Sequence, residues 1–370
     1  MRIGIVAYWF NRGQAVVARQ IRATLEGLGH ETFVLARPTR RTNIEPGRID
    51  TEGVWAQEGV TAASDYLIPA SEYLAWAEAV RPDVVMFDQN YQFEEIARLR
   101  GAGVRTVGRF VWEHFAAEHV EPAGRAFDRV YSITAAEQQR YAELGIETPR
   151  VRWGCFPELV DLADGDGAAE GRAVVFLFPG GFMSKRKPLA ATIAAFRATG
   201  DPRLRLVLKA QVERQSKQVA RMIRGGSRFG RRDRRVELIT ADLPGDEYMR
   251  MLAAADVCLA PSRWEGLGLH LFEATALGLP IITNDNPPMN EVVEDGGNGL
   301  LVPGIPDGHA PRSGIPAFAP DVAALTAAIE RLGDDDVRAE LAAGARSKRA
   351  ELSWQRTTED LRALLEEVSR

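Results

Sequence analysis

The sequence contains few of the features that mark secreted, disulfide-bonded or membrane-spanning proteins. Only two cysteines occur in 370 residues, and both Cys155 and Cys258 lie in apolar, strand-like runs. They are expected to be buried apolar side chains rather than a disulfide, which favours a reducing compartment. No run approaches the ~18 uninterrupted apolar residues of a membrane span, and residues 1–7 read as a strand rather than as a leader peptide. We therefore expect a cytoplasmic protein, with no more than peripheral contact with the cytoplasmic face of a membrane.

Neither basic nor acidic residues are in large excess. The 46 Lys and Arg against 51 Asp and Glu give a net charge of −5, so nothing global favours nucleic acid as a partner. One segment, 214–235, departs from this balance with nine basic residues and one acidic residue. It is interpreted as a solvated helix face, and an anionic partner such as acidic lipid is the alternative. Asp161, Asp164 and Asp166 lack the closing glutamate of a calcium loop, and no metal site is predicted.

The order of apolar strands and amphipathic helices predicts an α/β protein with two Rossmann-like, doubly wound domains. The expected boundaries are residues 1–157 for an N-terminal domain, 158–171 for a glycine-rich linker, 172–352 for a C-terminal domain and 353–370 for a last helix. Within this pattern residues 53–55 read as a short strand, and residues 304–316 read as a loop rich in Pro and Gly.

The most informative stretch runs from Pro261 to Ala274. An apolar run before it reads as a buried strand, and a helix is predicted after it, so a glycine loop joins a strand to a helix N-terminus. Free N–H groups and the helix dipole suit phosphate oxygens at such a corner, and glycines permit close approach. Two carboxylates flank the loop, Glu265 before it and Glu273 in the helix, and sugar hydroxyls are suitable partners for them.

This arrangement resembles the signature of retaining GT-B glycosyltransferases of glycosyltransferase family 4, in which seven residues separate two glutamates. The register continues from Val236 to Val302 and includes Pro261-Ser262 and the segment 291–302. The resemblance implies a GT-B fold, with two domains facing each other across a cleft and a last helix that returns to the N-terminal domain. It also implies a metal-independent enzyme without a cofactor, whose substrate is a nucleotide-diphosphate sugar, with a UDP-sugar as the preferred expectation.

The resemblance further assigns roles to residues of the C-terminal domain. Glu265 would orient the donor sugar, Glu273 would bind the nucleotide ribose, and the amides of Gly266, Leu267, Gly268 and Leu269 would face the diphosphate. Lys187 matches the family's phosphate-binding lysine, whereas Phe182 stands where the family has an arginine. Lys209 is the proposed replacement, with Lys185 or Arg186 as further candidates. His270 stands where the family commonly has proline, and no role is assigned to it beyond a donor-side contact.

In the N-terminal domain the candidates are fewer. Gly13 occupies the first strand-to-helix corner, where it serves either a tight turn or, by resemblance, the donor phosphates or the acceptor. Glu113 and His114 follow a predicted strand, near the family's catalytic histidine. Arg37, Arg40 and Arg41 open a loop-rich region and are interpreted as solvated, although they would suit an anionic acceptor.

The resulting functional hypothesis is transfer of a sugar from a nucleotide-diphosphate sugar to an unidentified acceptor, with retention of anomeric configuration. The alternative is a GT-B protein that binds sugar nucleotides but has another activity, such as an epimerase, or has lost activity. The missing arginine favours that alternative slightly, and the spacing of Glu265 and Glu273 favours the transferase.

Overall fold

The computed structural model describes residues 1–43, 45–162, 172–181, 184–211, 233–311 and 313–370. These residues form two compact units. Unit 1 comprises Met1–Trp153 together with Gln355–Arg370, and unit 2 comprises Gly154–Trp354.

Unit 1 is built on a parallel sheet of six strands. Its order is β3-β2-β1-β4-β5-β6, so the direction of strand addition reverses between β1 and β4. The central strands are apolar on both faces, as expected for strands covered by helices on either side. The strands are β1 (Arg2–Tyr8), β2 (Glu31–Arg37), β3 (Val60–Ala62), β4 (Val84–Asp88), β5 (Arg105–Arg109) and β6 (Arg129–Val130).

Four helices of unit 1 connect these strands, and a fifth follows the last of them. They are α1 (Gly13–Gly27), α2 (Ala70–Val80), α3 (Phe93–Gly101), α4 (Val120–Ala126) and α5 (Ala135–Glu143), with 3-10 turns at Gly53–Trp55 and Ala117–His119. Aromatic side chains fill much of the core beneath them, including Phe87, Phe110 and Phe127. The cap of α5 is a side chain, since Thr134 Oγ1 accepts a 3.0 Å bond from the Glu137 amide.

Unit 2 repeats the same architecture. Its sheet has the order β12-β11-β10-β7-β8-β9, and the reversal lies between β10 and β7. The strands are β7 (Val174–Gly181), β8 (Leu204–Ala210), β9 (Val236–Ile239), β10 (Val257–Leu259), β11 (Ile281–Asn284) and β12 (Gly299–Val302). The helices are α6 (Pro157–Asp161), α7 (Leu189–Ala198), α8 (Gly245–Ala253), α9 (Leu269–Ala276), α10 (Val322–Arg331) and α11 (Asp335–Glu351), with a 3-10 turn at Met289–Glu291.

The last helix, α12 (Trp354–Ser369), packs on unit 1, although almost all of unit 2 separates it from that unit in sequence. Its buried face is Leu361, Leu364, Leu365 and Val368, at helical spacing. The Arg152 guanidinium donates two 2.8 Å bonds to the Asp360 carboxylate at its edge. This confirms the predicted return of the C-terminal helix.

Two local expectations are wrong. Residues 53–55 form a 3-10 turn rather than a strand, because Gly53 has a positive φ of 56° and Trp55 packs edge-on against Trp9 with ring centroids 5.4 Å apart. The expected loop at 304–316 begins with β13 (Gly304–His309), which pairs antiparallel with β14 (Pro316–Pro320). Proline is tolerated there because a two-stranded sheet consists of edge strands only.

Both cysteines behave as expected, since Cys155 and Cys258 are free thiols buried in unit 2. The interpretation of Arg37 as a solvated residue is wrong. Its side chain is only 1% exposed, because Arg37 is the last residue of β2 and lies against the ring of Tyr66.

Candidate active site

The corner between β10 and α9 has the geometry of an anion site. Gly268 precedes α9 in the left-handed region, with φ 76° and ψ 43°, and a Cβ there would lie 3.0 Å from Leu271. The backbone conformation therefore favours glycine, and a larger residue would also press on the Leu271 side chain. Within the described residues, no acceptor is recorded for the backbone N–H groups of Gly266, Leu267, Gly268 or Leu269. Four unpaired donors at a helix N-terminus match what phosphate oxygens require.

A second loop, 184–188 after β7, lies against this corner. β7 and β10 are neighbours in the sheet, so the loops at their carboxyl ends meet at the same edge. The Arg263 amide donates a 2.9 Å bond to the Arg186 carbonyl, and the Arg263 guanidinium donates a 3.0 Å bond to the Lys185 carbonyl. These bonds hold two segments together that are nearly eighty residues apart in sequence.

The side chains of these two loops converge on Glu265. The Lys187 ammonium lies 2.7 Å from Glu265 Oε1 and 2.9 Å from Ser262 Oγ, while the Arg186 guanidinium lies 3.1 Å from Glu265 Oε2. Glu265 is only 5% exposed. Burial alone would raise its pKa, but the charges of Lys187 and Arg186 outweigh burial and hold the pKa of Glu265 well below its usual range. Glu265 is therefore ionised and fixed in orientation.

Glu273 lies in α9 in a contrasting environment. It is 6% exposed, and no hydrogen bond or ion pair within the described residues involves its carboxyl group. Burial raises its pKa to about 7. A buried carboxyl group without a protein partner costs free energy in its ionised form, so hydroxyl donors from a ligand would relieve that cost.

His270 occupies the first turn of α9. Its Nε2 atom is enclosed and has no hydrogen-bond partner in the described part of the chain. Burial and the nearby Lys187 lower its pKa to about 3, so the imidazole is neutral at physiological pH. Sequence reasoning named this residue without a role, and the structure adds that one ring nitrogen remains unsatisfied.

Lys209 lies at the carboxyl end of β8 and is buried. Its ammonium donates a 2.5 Å bond to the Ala210 carbonyl and a 2.7 Å bond to the Ala241 carbonyl. The lysine therefore ties two backbone segments together, whereas Arg186 is the basic side chain brought to Glu265. The sequence signal for Arg186 was its place in the basic loop. A loop has no periodicity, so the sequence could not show which of its basic side chains would reach Glu265.

The candidates in unit 1 occupy loops at the carboxyl edge of its sheet. Gly13 begins α1, is exposed, and has open space where a Cβ would be. Glu113 and His114 follow β5; Glu113 is buried, and the His114 side chain is 51% exposed with its Nε2 3.6 Å from Glu113 Oε1. The two side chains are thus adjacent, with the imidazole on the outside.

Sequence reasoning missed a buried charge cluster at the same edge. Arg109, the last residue of β5, lies 2.9 Å from Asp88 Oδ1 and 3.8 Å from Glu137 Oε1. Burial raises the pKa of Glu137 to about 7 despite the charge of Arg109. The available sequence signal was Arg109 itself, a charged residue at the end of an apolar strand. Its partners, Asp88 in β4 and Glu137 in α5, are brought to it only by the fold.

Several predicted features lie outside the described residues. These are Phe182, at the position of the family's arginine, most of the linker, and the basic residues of segment 214–235 as far as Arg232. Within the described ranges no cluster of His, Cys, Asp and Glu suits a metal ion. None of the helices there has both the length and the apolar character that a membrane crossing requires.

Comparison with protein families gives a match to the model described as "Glycosyl transferases group 1" over residues 173–335. This range covers both loops around Glu265 and Lys187. Much of unit 2 is therefore similar to the glycosyl transferases group 1 family. The match agrees with the resemblance inferred from the two glutamates, Glu265 and Glu273.

Curated proteins similar to this chain include two named D-inositol 3-phosphate glycosyltransferase. The protein of Acidothermus cellulolyticus is 29% identical over 258 residues, which cover 64% of this chain and 52% of the relative. The protein of Thermomonospora curvata is 30% identical over 265 residues, which cover 63% and 56%. The chain spans about half the length of these curated relatives.

Solved structures resemble the chain over its whole length. Sucrose-phosphate synthase from Thermosynechococcus elongatus has a TM-score of 0.75 at 17% identity and covers 100% of this chain and 99% of its own. The Anabaena protein Alr3699/HepE in complex with UDP-glucose has a TM-score of 0.70 at 17% identity, with 99% and 100% covered. These similarities confirm the predicted GT-B fold class.

Proposed function

We propose that the protein is a glycosyltransferase that moves a sugar from a nucleotide-diphosphate sugar of the UDP class to an acceptor. The observation that carries the proposal is that Lys187 contacts Glu265, the residue that directly precedes the four unpaired amides from Gly266 to Leu269. The likeness to a structure that holds UDP-glucose and to relatives named as glycosyltransferases supports it.

The donor diphosphate is assigned to the N-terminus of α9. An ammonium group has three N–H bonds, and Lys187 directs two of them at Glu265 and Ser262. The third N–H and the amides of the corner remain for phosphate oxygens. Charge develops on the diphosphate as the bond to the sugar breaks, and these fixed donors would stabilise it without reorganisation.

The two glutamates are assigned different hydroxyl groups. Glu265, ionised and held by Lys187 and Arg186, would accept hydrogen bonds from the donor sugar and orient its anomeric carbon. Glu273, buried and without a protein partner, would accept hydrogen bonds from the ribose of the nucleotide. Lys209 would support the site mainly through the carbonyls to which it donates, and His270 Nε2 would complete its hydrogen bonding with a donor group.

Retention of configuration and independence of metal belong to the same proposal. In a retaining reaction the acceptor hydroxyl attacks the face from which the diphosphate leaves. Arg186 and Lys187 would neutralise the leaving diphosphate, which is the task a metal ion performs in other enzymes. Glu113 and His114 are the proposed acceptor-side catalytic pair of unit 1, and Gly13 would border the ligand there.

Two further parts of the proposal concern the surroundings of the enzyme. The protein is proposed to work in the cytoplasm, with any membrane contact peripheral and made through the basic segment 214–235. A nucleic-acid partner is not proposed.

The test combines a donor panel with a matched pair of lysine variants. UDP-, ADP- and GDP-sugars are compared by thermal shift, and UDP-sugars are expected to raise the melting temperature most. Lys187→Met should weaken UDP binding at least tenfold by calorimetry. Lys185→Met should bind as the wild type does, because this earlier candidate is exposed and the described contacts to Glu265 come from Arg186 and Lys187 instead.

Turnover is examined with the preferred donor once it is known. Activity that survives EDTA and a product with the donor's anomeric configuration by NMR are the expected results. Equal UDP affinity in the two lysine variants would contradict the donor site, and an inverted product would contradict retention alone.

A further inference from the structure

A row of polar residues crosses the carboxyl edge of the sheet in unit 1. Arg37 ends β2 and is paired in register with Tyr8, the last residue of β1. Gln89 follows β4, the other neighbour of β1, and its carbonyl accepts a 3.0 Å bond from the Arg37 guanidinium. The row therefore spans the reversal point between β1 and β4, where doubly wound sheets bind ligands.

Arg37 is a buried cation, and no carboxylate of the described residues forms an ion pair with it. Its Nε donates a 2.8 Å bond to the Tyr66 carbonyl, and its other recorded bond is the one to Gln89. A guanidinium has five N–H bonds, so three of them have no recorded acceptor in the described part of the chain. Asp88 is the carboxylate whose charge acts on Arg37, and it is already paired with Arg109 at 2.9 Å.

Arg40 places a second cation on the same aromatic ring. Its guanidinium carbon lies 4.4 Å from the centre of the Tyr66 ring, and that of Arg37 lies 3.8 Å from it. The two like charges therefore lie within about 8 Å of each other, with Arg37 buried and Arg40 exposed, and they repel at that distance. Arg40 donates a 2.9 Å bond to the Tyr66 hydroxyl, and among the described residues no carboxylate is paired with it.

Neighbouring arginines show that this pattern is not general. Arg12 pairs with Glu45 at 2.7 Å, and Arg41 pairs with Asp65 at 3.1 Å. Arg12 and Arg41 of the same unit thus have carboxylate partners, whereas no carboxylate among the described residues is paired with Arg37 or Arg40. An anion between them would balance both charges.

Gln89 adds a neutral donor to the two cations. It is 6% exposed, its Nε2 is buried without an acceptor, and its Oε1 accepts a 3.2 Å bond from the Tyr91 hydroxyl. The backbone of Gln89 has a positive φ of 50°, which is unfavourable for a residue other than glycine. A hydrogen bond from its backbone N–H to the Arg109 carbonyl holds this conformation. Gln89 thus has a side-chain N–H group that is unsatisfied within the described residues, and its backbone carbonyl binds the Arg37 guanidinium, so it suits a ligand that only accepts hydrogen bonds.

We propose that Arg37, Arg40 and Gln89 form an anion subsite in unit 1 that holds a phosphate or carboxylate group of the acceptor. The assignment to the acceptor rests on the proposed transferase function, whereas the anion subsite itself rests on unit 1 alone. The subsite restricts acceptors to anionic molecules, because a neutral hydroxyl cannot compensate two cations.

Inorganic phosphate is the first probe, and acetate is the second. Each is titrated by calorimetry into the full chain with UDP present to occupy the phosphate site of unit 2, at constant ionic strength. The wild type and Arg41→Gln should bind the anion alike, Arg40→Gln should bind it at least tenfold more weakly, and Arg37→Met should lose binding. Preference for acetate over phosphate would identify a carboxylate group rather than a phosphate group.

UDP affinity, which should be equal in all four proteins, shows that each variant is folded. The proposal is overturned if neither anion binds the wild type, or if Arg40→Gln binds as tightly as Arg41→Gln. If UDP itself fails to bind, the donor assignment fails, and the comparison of the Arg40 and Arg41 variants without UDP still decides the subsite.

Discussion

Replacing Glu273 with glutamine is expected to stabilise the protein at alkaline pH and to have little effect in acid. Burial without a partner raises the pKa of Glu273 from 4.5 to about 7 in the folded chain. The folded state therefore binds this proton more tightly than the unfolded state does. The resulting stabilisation is complete below pH 4.5 and is lost as the pH rises through 7.

The size of the effect follows from the two pKa values. One pKa unit corresponds to about 1.4 kcal/mol, so the ionised carboxylate lowers the free energy of unfolding by about 3 kcal/mol above pH 7. Glutamine has nearly the same shape and no charge to desolvate. The variant should gain most of this free energy relative to the wild type at pH 8.

Glu265, eight positions earlier, provides a control of opposite sign. Lys187 and Arg186 hold its pKa well below the usual range, so its stabilisation is present above the unfolded pKa and is lost as the pH falls through the folded pKa. Glu265→Gln removes the carboxylate from a buried pair and leaves Lys187 uncompensated. Such losses cost about 3–5 kcal/mol, and between pH 5 and 8 this deficit should stay nearly constant.

The assay is urea unfolding of the wild type and both variants at pH 5 and pH 8, followed by far-UV circular dichroism. From pH 5 to pH 8 the advantage of Glu273→Gln should grow by about 2–3 kcal/mol. An advantage that does not change with pH, or a variant less stable than the wild type at pH 8, would refute the description of Glu273 as a desolvated, unpaired carboxyl group.

Three further predictions follow from individual contacts. UDP-glucose should bind the wild type more tightly at pH 8 than at pH 6, by up to about tenfold because the ionised fraction of Glu273 rises across its pKa, and calorimetry should show no such trend for Glu273→Gln. Gly344→Ala should lower stability despite better helix propensity, because the Cβ would lie 1.9 Å from the Gly297 carbonyl oxygen. The control Gly124→Ala has open space and should stabilise α4. A free energy of unfolding for Gly344→Ala equal to or above that of the wild type would contradict this contact. Thr134→Ala should lower the free energy of unfolding in urea by about 1 kcal/mol, since it removes the cap of α5. Thr134→Ser keeps a capping hydroxyl group and should retain most of the wild-type stability.

Much of the fold could be predicted because its signals are local. Runs of apolar residues with Gly or Pro at their ends indicated the parallel strands, and helical spacing indicated α3, α7 and α12 within a few residues of their bounds. The errors occurred where distant contacts decide the conformation. Trp55 is drawn into a turn by Trp9, 46 residues away in sequence, and β13 becomes a strand only by pairing with β14.

The sequence by itself determined the chemistry around Glu265 and Glu273: two carboxylates at a fixed spacing, glycines that permit close approach, and a lysine in a basic loop. It could not assign these groups their charges, because the pKa of a carboxyl group depends on its neighbours in space. Tertiary structure decided that Glu265 lies between Lys187 and Arg186, while Glu273 has no ion-pair partner among the described residues. Tertiary structure likewise turned Arg37 from a predicted solvated side chain into a buried cation, since burial is a property of the whole packed unit rather than of the residue.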